Sequence, residues 1–304
     1  MKVGALCAGY GGLELGLQLA GFETELMWVA ETDPGASKVL DKRFNVPNLG
    51  DIKLIENPVK VDVITAGFPC QPVSTAGAGA GVNDERWLID DVVRVATAAD
   101  AQWVFLENVR GLLAPSKSEA FGQVLDALSN AGYDAKWSCV RADRSVGACH
   151  RRDRWFCVAY TKSGNERWKE QQTLAQTVGQ TSELGKCYSS FSNPPSADST
   201  TLGQQGVRSE CGLEETERET RQLRIFGSYE PAIKRWEHTL GRIVPSATDE
   251  KGVAPRFLEW MMGLPDGWVC DVGLSRTDEL KVLGNGVVPQ QAAFAYDWLL
   301  SLTD

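Results

Sequence analysis

Short apolar runs alternate with helix-period stretches through the first half of the chain, and this alternation constrains the fold more than any other feature. The runs at 3–7, 26–30, 61–66, 103–106, 137–140 and 155–159 have the length and the Val, Ile, Phe and Trp content of strands. Between them lie helical patterns. Leu13, Leu17 and Ala20 line one face of a helix that Gly21 ends, and a second helix is expected over 84–99. A third is expected from Ser116, an N-cap with Glu119 three residues on, burying Phe121, Val124, Leu125 and Leu128 before Gly132. Strands alternating with helices predict an α/β protein. A last helix is expected over 290–300, with Ala293, Phe294, Trp298 and Leu299 as its apolar side.

Near Tyr160 the composition changes. From 161 to about 222 the chain is rich in Gln, Ser, Thr, Gly and Glu with few apolar clusters, which predicts a segment that is loop-rich, partly disordered, or ordered only when a partner binds. Regular patterning returns at 233–236 and 257–262. At 304 residues, 43% hydrophobic and 23% charged, the chain can bury a sizeable core. No run approaches the ~18 apolar residues of a membrane span, and the N-terminus enters a strand without a secretory pattern, so a cytoplasmic protein is expected. Eight scattered cysteines without C-x-x-C spacing predict neither a disulfide framework nor a metal site. The net charge of -9 argues only weakly against a nucleic-acid partner. Charges are screened beyond ~8 Å, so local surfaces decide. Arg141, Arg144, Arg151, Arg152 and Arg154 form one basic stretch, readable equally as a binding surface or as a solvated face.

Three segments carry chemistry. Ala8-Gly9-Tyr10-Gly11-Gly12 follows a strand and opens a helix, as a nucleotide-binding loop does. It is not G-x-G-x-x-G, since Glu14 holds the third glycine's place, and no Gly-Lys-Ser/Thr follows. Glu31 ends the second strand, where an acid accepts hydrogen bonds from ribose hydroxyls. Together they fit an adenosine-containing ligand, or else a tight turn with a surface Glu. Cys70 lies between Pro69 and Pro72 just past the strand ending at Ala66, ahead of a run of small residues at 74–81. A thiol of pKa about 8.5 is a strong nucleophile even when only a few per cent ionised. Glu107 follows the next strand and emerges at the same sheet edge, which pairs an acid with that nucleophile. The stretch His150-Arg151-Arg152-Asp153-Arg154 leads into a strand, so Arg152 and Arg154 are expected on one face.

In this order the segments resemble the cytosine carbon-5 DNA methyltransferase family, over most of 3–159 and again over 254–300. The most specific pieces are GFPCQPVSTAG at 67–77, ENV at 107–109 and the spaced arginines at 150–154. Gly50-Asp51-Ile52, Arg256 to Glu259 and Gly284-Asn285-Gly286-Val287 match further family motifs. The resemblance implies a Rossmann-like S-adenosylmethionine-dependent methyltransferase sheet with helices on both faces, plus a smaller loop-rich target-recognition domain. Residues 1–160 and 255–304 would form the discontinuous catalytic domain and 161–254 the target-recognition region. It implies that Cys70 attacks carbon 6 of a flipped cytosine and that Glu107 holds or protonates ring nitrogen 3. Arg154 and Arg152 would contact the cytosine carbonyl. S-adenosylmethionine, leaving as S-adenosylhomocysteine, would be bound by Cys7, Ala8, Gly9, Gly11, Gly12, Glu31, Thr32, Asp51, Ile52, Phe68, Asn285 and Val287, with Glu31 on the ribose and Asp51 on the adenine amino group. Double-stranded DNA is the implied partner, with no metal and no membrane, and the protein is expected to be a monomer. Arg221, Arg224, Lys234 and Arg235 are the candidates for DNA contacts.

The chain departs from the family in places. Ala5-Leu6-Cys7-Ala8-Gly9 stands for D-L-F-A-G, Thr32 for an aromatic residue, His150 for the glutamine of Q-x-R-x-R, and Gly286 for a serine. These departures bear on cofactor affinity. Two rival readings are a tRNA cytosine-5 methyltransferase of the same family and a catalytically idle DNA-binding regulator. A nicotinamide dehydrogenase is disfavoured by Glu14.

Overall fold

A computed structural model of the chain describes residues 1–69, 87–166 and 226–302. Six strands, Lys2–Leu6 (β1), Glu25–Ala30 (β2), Val63–Ala66 (β3), Trp103–Val109 (β4), Asp134–Arg141 (β5) and Asp153–Tyr160 (β6), form one sheet in the order β2-β1-β3-β4-β6-β5. The first four are parallel, whereas β6 runs antiparallel to both β4 and β5. All six expected strands are present.

Strand alternation divides the core into two layers. Val104 and Leu106 of β4 join Ile64, Trp155 and Cys157 on one face. They pack under Ile89–Ala98 (α3) and Ser118–Asn130 (α4) through Val92, Val95, Val124 and Leu128. Trp103 and Phe105 face the other way with Val63 and Phe156, beneath Gly12–Leu19 (α1) and Pro289–Ser301 (α9). The sheet therefore carries helices on both faces. A third cluster joins Tyr10, Pro34–Phe44 (α2) and Ala142–Ser145 (α5) to Glu230–Leu240 (α6), Pro255–Met261 (α7) and Arg276–Asn285 (α8). Through it the C-terminal segment returns to the open edge of the glycine loop.

Two local expectations are corrected. Ser116 does not cap α4, because Pro115–Lys117 form a 3-10 turn and the helix starts at Ser118 without a side-chain cap. Trp298 is 41% exposed, whereas Ala292, Ala295, Tyr296 and Leu299 form the inward face of α9. Ala293 and Leu299 are buried as expected, and α1 packs closely on this face, where a Cβ on Gly16 would meet Ala292 and the carbonyl of Pro289. Of the expected target-recognition region, 167–225 lies outside the described residues, and with it Arg221 and Arg224. Its later part is described, and α6 buries Trp236, whose indole donates to Trp260 O at 3.0 Å. No helix among the described residues is long and apolar enough to cross a membrane.

Candidate active site

The carboxyl ends of β1 to β4 open into a cleft of about 530 Å³, where a parallel sheet places its ligands. On its β1–β2 side it is lined by Cys7, Gly9, Glu31, Thr32, Asp33 and Asp51, and on the other by Phe68, Pro69, Glu107, Arg154 and Asn285. Sequence reasoning had assigned all of these but Asp33 and Pro69. Cys70, next to Pro69, lies outside the described residues.

The glycine loop leaves β1 through left-handed residues, Cys7 (φ 49), Gly9 (φ 58) and Gly11 (φ 84). Only Gly9 is open there: a Cβ on it would meet nothing within 4 Å, so the bare backbone faces the cleft. A Cβ on Gly11 would run into the ring of Phe44, and one on Gly12 into Val287 O. Those two glycines serve close packing. Ala8, Gly11, Gly12 and Val287 do not line the cleft, and Val287 is buried.

Glu31 is braced from three directions. Gly9 N donates to its Oε2 at 2.8 Å, while Thr32 N and Asp33 N donate to Oε1 at 2.9 and 2.8 Å. Asn48 holds its backbone, donating to Glu31 O and accepting from Glu31 N, each at 3.0 Å. Asp51 accepts from Lys53 N at 3.0 Å and caps the turn Ile52–Leu54. Burial, with Glu31 and Asp51 adding to it, pushes the Cys7 thiol up to about 12, so it is a neutral thiol at physiological pH. Asp33 accepts from Lys281 Nζ at 2.5 Å, pinning α8 across the cleft mouth. Asn48, Asp33 and Lys281 had not been anticipated. An Asn in a loop and a Lys beyond position 280 show no pattern until the chain brings them together.

At the other end, buried Glu107 and partly buried Arg154 form an ion pair, Nε to Oε1 at 3.0 Å. The sheet register accounts for it: Glu107 stands opposite Phe156 and Arg154 opposite Val109 on the antiparallel pair β4–β6. Burial lifts the Glu107 carboxyl above its ordinary range, against the opposing pull of Arg154 and Arg152. Next to it, buried Asn108 donates to Phe68 O at 3.2 Å and ties the end of β4 to the segment that leads into Cys70. Arg152 does not line the cleft. Its guanidinium donates instead to Gly286 O. His150 Nε2 lies 2.8 Å from Met261 O, where burial holds its imidazole below the usual range. Lys234 pairs with Glu237 at 3.1 Å and Arg235 donates to Gly147 O at 3.3 Å. Among the described residues, no three His, Cys, Asp or Glu side chains are grouped to hold a metal.

A bare backbone loop, a braced acid and an acidic rim suit a cationic ligand with sugar hydroxyls. A buried carboxyl beside a guanidinium suits a flat polar ring. The model of the C-5 cytosine-specific DNA methylase family matches residues 1–297. The chain is 33% identical over 184 residues to the Type II methyltransferase M.NgoMIV of Neisseria gonorrhoeae, covering 58% of this chain and 57% of that protein. It is 34% identical over 190 residues to the Type II methyltransferase M.NaeI of Lentzea aerocolonigenes, covering 60% and 45%. The matched stretches thus span little more than half of these relatives, or less. In fold it is similar to the S. pombe Dnmt2 methyltransferase, with a TM-score of 0.55 and 16% identity over 99% of this chain and 98% of the other.

Proposed function

The chain belongs to the C-5 cytosine-specific DNA methylase family, and on that premise we propose that it methylates carbon 5 of cytosine in double-stranded DNA through an adduct with Cys70. The observation that carries the proposal is the pair of buried Glu107 with Arg154 at 3.0 Å, opening into the same cleft as the acid-rimmed glycine loop. S-adenosylmethionine, when bound, supplies an electrophilic methyl group on a sulfonium cation. Glu31, already oriented by three backbone N–H groups, keeps lone pairs free for ribose hydroxyls, and Asp51, in the same cleft, would accept from the adenine amino group. The open space at Gly9 and the carboxylates of Glu31 and Asp51 fit that cation.

Carbon 5 of cytosine is a poor nucleophile. Attack of the Cys70 thiolate on carbon 6 pushes electrons toward ring nitrogen 3, and a proton from Glu107 receives them there. The raised Glu107 carboxyl favours the protonated form this step needs. Arg154 holds Glu107 in place and offers N–H donors to the cytosine carbonyl. Carbon 5 then takes the methyl group, its hydrogen leaves as a proton, and elimination frees Cys70 as Glu107 recovers its proton. Residues 161–254 would deliver the target sequence, and the protein would act as a monomer in the cytoplasm.

A duplex carrying 5-fluorocytosine tests this, because fluorine blocks the elimination. With S-adenosylmethionine present, wild type is expected to form a denaturation-resistant complex and Cys70→Ser is not. Wild type that binds the duplex but traps nothing would leave a DNA-binding regulator as the better reading. Bisulfite sequencing of DNA from an expressing host then reads out the target.

A further inference from the structure

Arg152 and Arg154 are two residues apart, but they reach in different directions. Arg154 lies within β6 and points at Glu107. Arg152 precedes the strand and has φ 24, a conformation non-glycine residues rarely adopt, so it escapes the alternation that would place both on one face. Its guanidinium donates to Gly286 O and, at 3.4 Å, to Gly284 O, and its Nε is buried with no partner among the described residues. A partly buried cation held by backbone carbonyls, on a strained backbone, persists where the surroundings enforce it.

The held segment is a cleft wall. Gly284 and Asn285 line the cleft, and the next two residues are gripped from a second side. Tyr10 Oη donates to Val287 O at 2.8 Å, and its ring lies over Gly286. Tyr10 belongs to the glycine loop, so this grip comes from the β1 side. The Arg152 grip comes from the residue just before β6, whose own carbonyl accepts from Gln291 Nε2 at 2.7 Å. One peptide unit, Asp153, then separates it from Arg154.

We infer that Arg152 is a positioning residue that fixes the Gly284–Val287 turn, and with it Asn285, at the cofactor end of the cleft, while holding the backbone that presents Arg154 to Glu107. On this assignment Arg152 does not touch the cytosine carbonyl. It couples cofactor binding to the base-binding pair. The inference rests on the proposed function for the identity of the ligand.

The test is the affinity of the full chain for S-adenosylhomocysteine, by calorimetry without DNA, alongside methyl-transfer kinetics. Arg152→Ala is expected to weaken binding by about tenfold or more, the loss that goes with hydrogen bonds from a charged donor. Arg152→Lys should recover part of it, since an ammonium still reaches one carbonyl. Arg154→Ala should change the affinity by less than about twofold while lowering kcat. Arg152→Ala that binds like wild type yet loses kcat would overturn the assignment and return Arg152 to the base. If Arg152→Ala fails to fold, Arg152→Lys and Tyr10→Phe, which loosen the same turn from its two sides, take its place, and unchanged affinity in both overturns it equally. Wild type that binds no S-adenosylhomocysteine would instead sink the proposed function, before any variant is compared.

Discussion

The ring of Tyr10 occupies the volume that any side chain at residue 286 would need. Gly286 stands where the resembled family commonly has serine, and the structure supplies the reason: the two positions compete for one space. Gly286→Ser should destabilise the chain by about 1–3 kcal/mol or more through overpacking. In urea denaturation, Tyr10→Ala combined with Gly286→Ser should be less destabilised than the two single losses added together. Strict additivity would mean that the contact is relieved by backbone movement.

Glu14 is a buried acid on α1 that hydrogen-bonds Thr65 Oγ1, with its Oε2 unpartnered among the described residues. Burial raises its carboxyl from 4.5 to about 7. Between those values the unfolded chain has released a proton that the folded chain still holds. Stability is therefore fully present below about 4.5, falls as the pH rises to about 7 and is level beyond. The loss is on the order of 3 kcal/mol. Glu14→Gln keeps the acceptor for Thr65 and should remove most of this slope, so its advantage over wild type grows between pH 5 and pH 7.5. Parallel stability profiles for the two chains would refute the assignment.

Glu107→Gln keeps the shape of the buried site but holds no transferable proton. Single-turnover methyl transfer should slow by about 10²- to 10⁴-fold with DNA binding retained. Arg154→Ala should slow it too, with a diagnostic shift. The Arg154 cation pulls the Glu107 carboxyl down against burial. Removing it raises that carboxyl further, so the alkaline limb of the pH–rate profile should move to higher pH. An unmoved limb would mean that another group controls it.

Glu259 is buried, and its carboxylate accepts from Gly267 N (2.8 Å), Val269 N (2.6 Å) and Cys270 N (3.1 Å). These bonds close the turn between α7 and α8. Glu259→Ala leaves buried donors unpaired, each costing about 1–3 kcal/mol. Its thermal midpoint should fall far more than that of Arg256→Ala, because the Arg256 pairs with Asp266 and Asp271 are exposed and such pairs contribute only about 0–1 kcal/mol. Comparable losses would mean that the turn is held by other contacts.

The residues of the sheet declare themselves locally. Trp, Val, Phe and Leu at 103–106, or Trp, Phe, Cys and Val at 155–158, read as strands because each run must bury on both faces, and that requirement is written in consecutive letters. Glu31, just past β2, was legible for the same reason; Glu107 was expected beyond its strand, but β4 continues to Val109 and holds it within the sheet. Ser116 shows the limit of local reading. Its capping pattern was sound, yet Pro115 and the 3-10 turn moved the N-cap one residue on, to Lys117.

By itself, the sequence determined an α/β sheet, a glycine loop with its acid, and a family resemblance centred on Cys70, Glu107 and Arg154. Tertiary structure alone decided which way the two arginines reach, that Asn48 braces Glu31, that Lys281 closes on Asp33, and that Tyr10 excludes a side chain from Gly286. The physical reason is range. Strand and helix periodicity arise from neighbours along the chain. A hydrogen bond from Arg152 to Gly286, or a ring filling the place of a Cβ hundreds of residues away, exists only after the core has brought those segments within a few ångströms of each other.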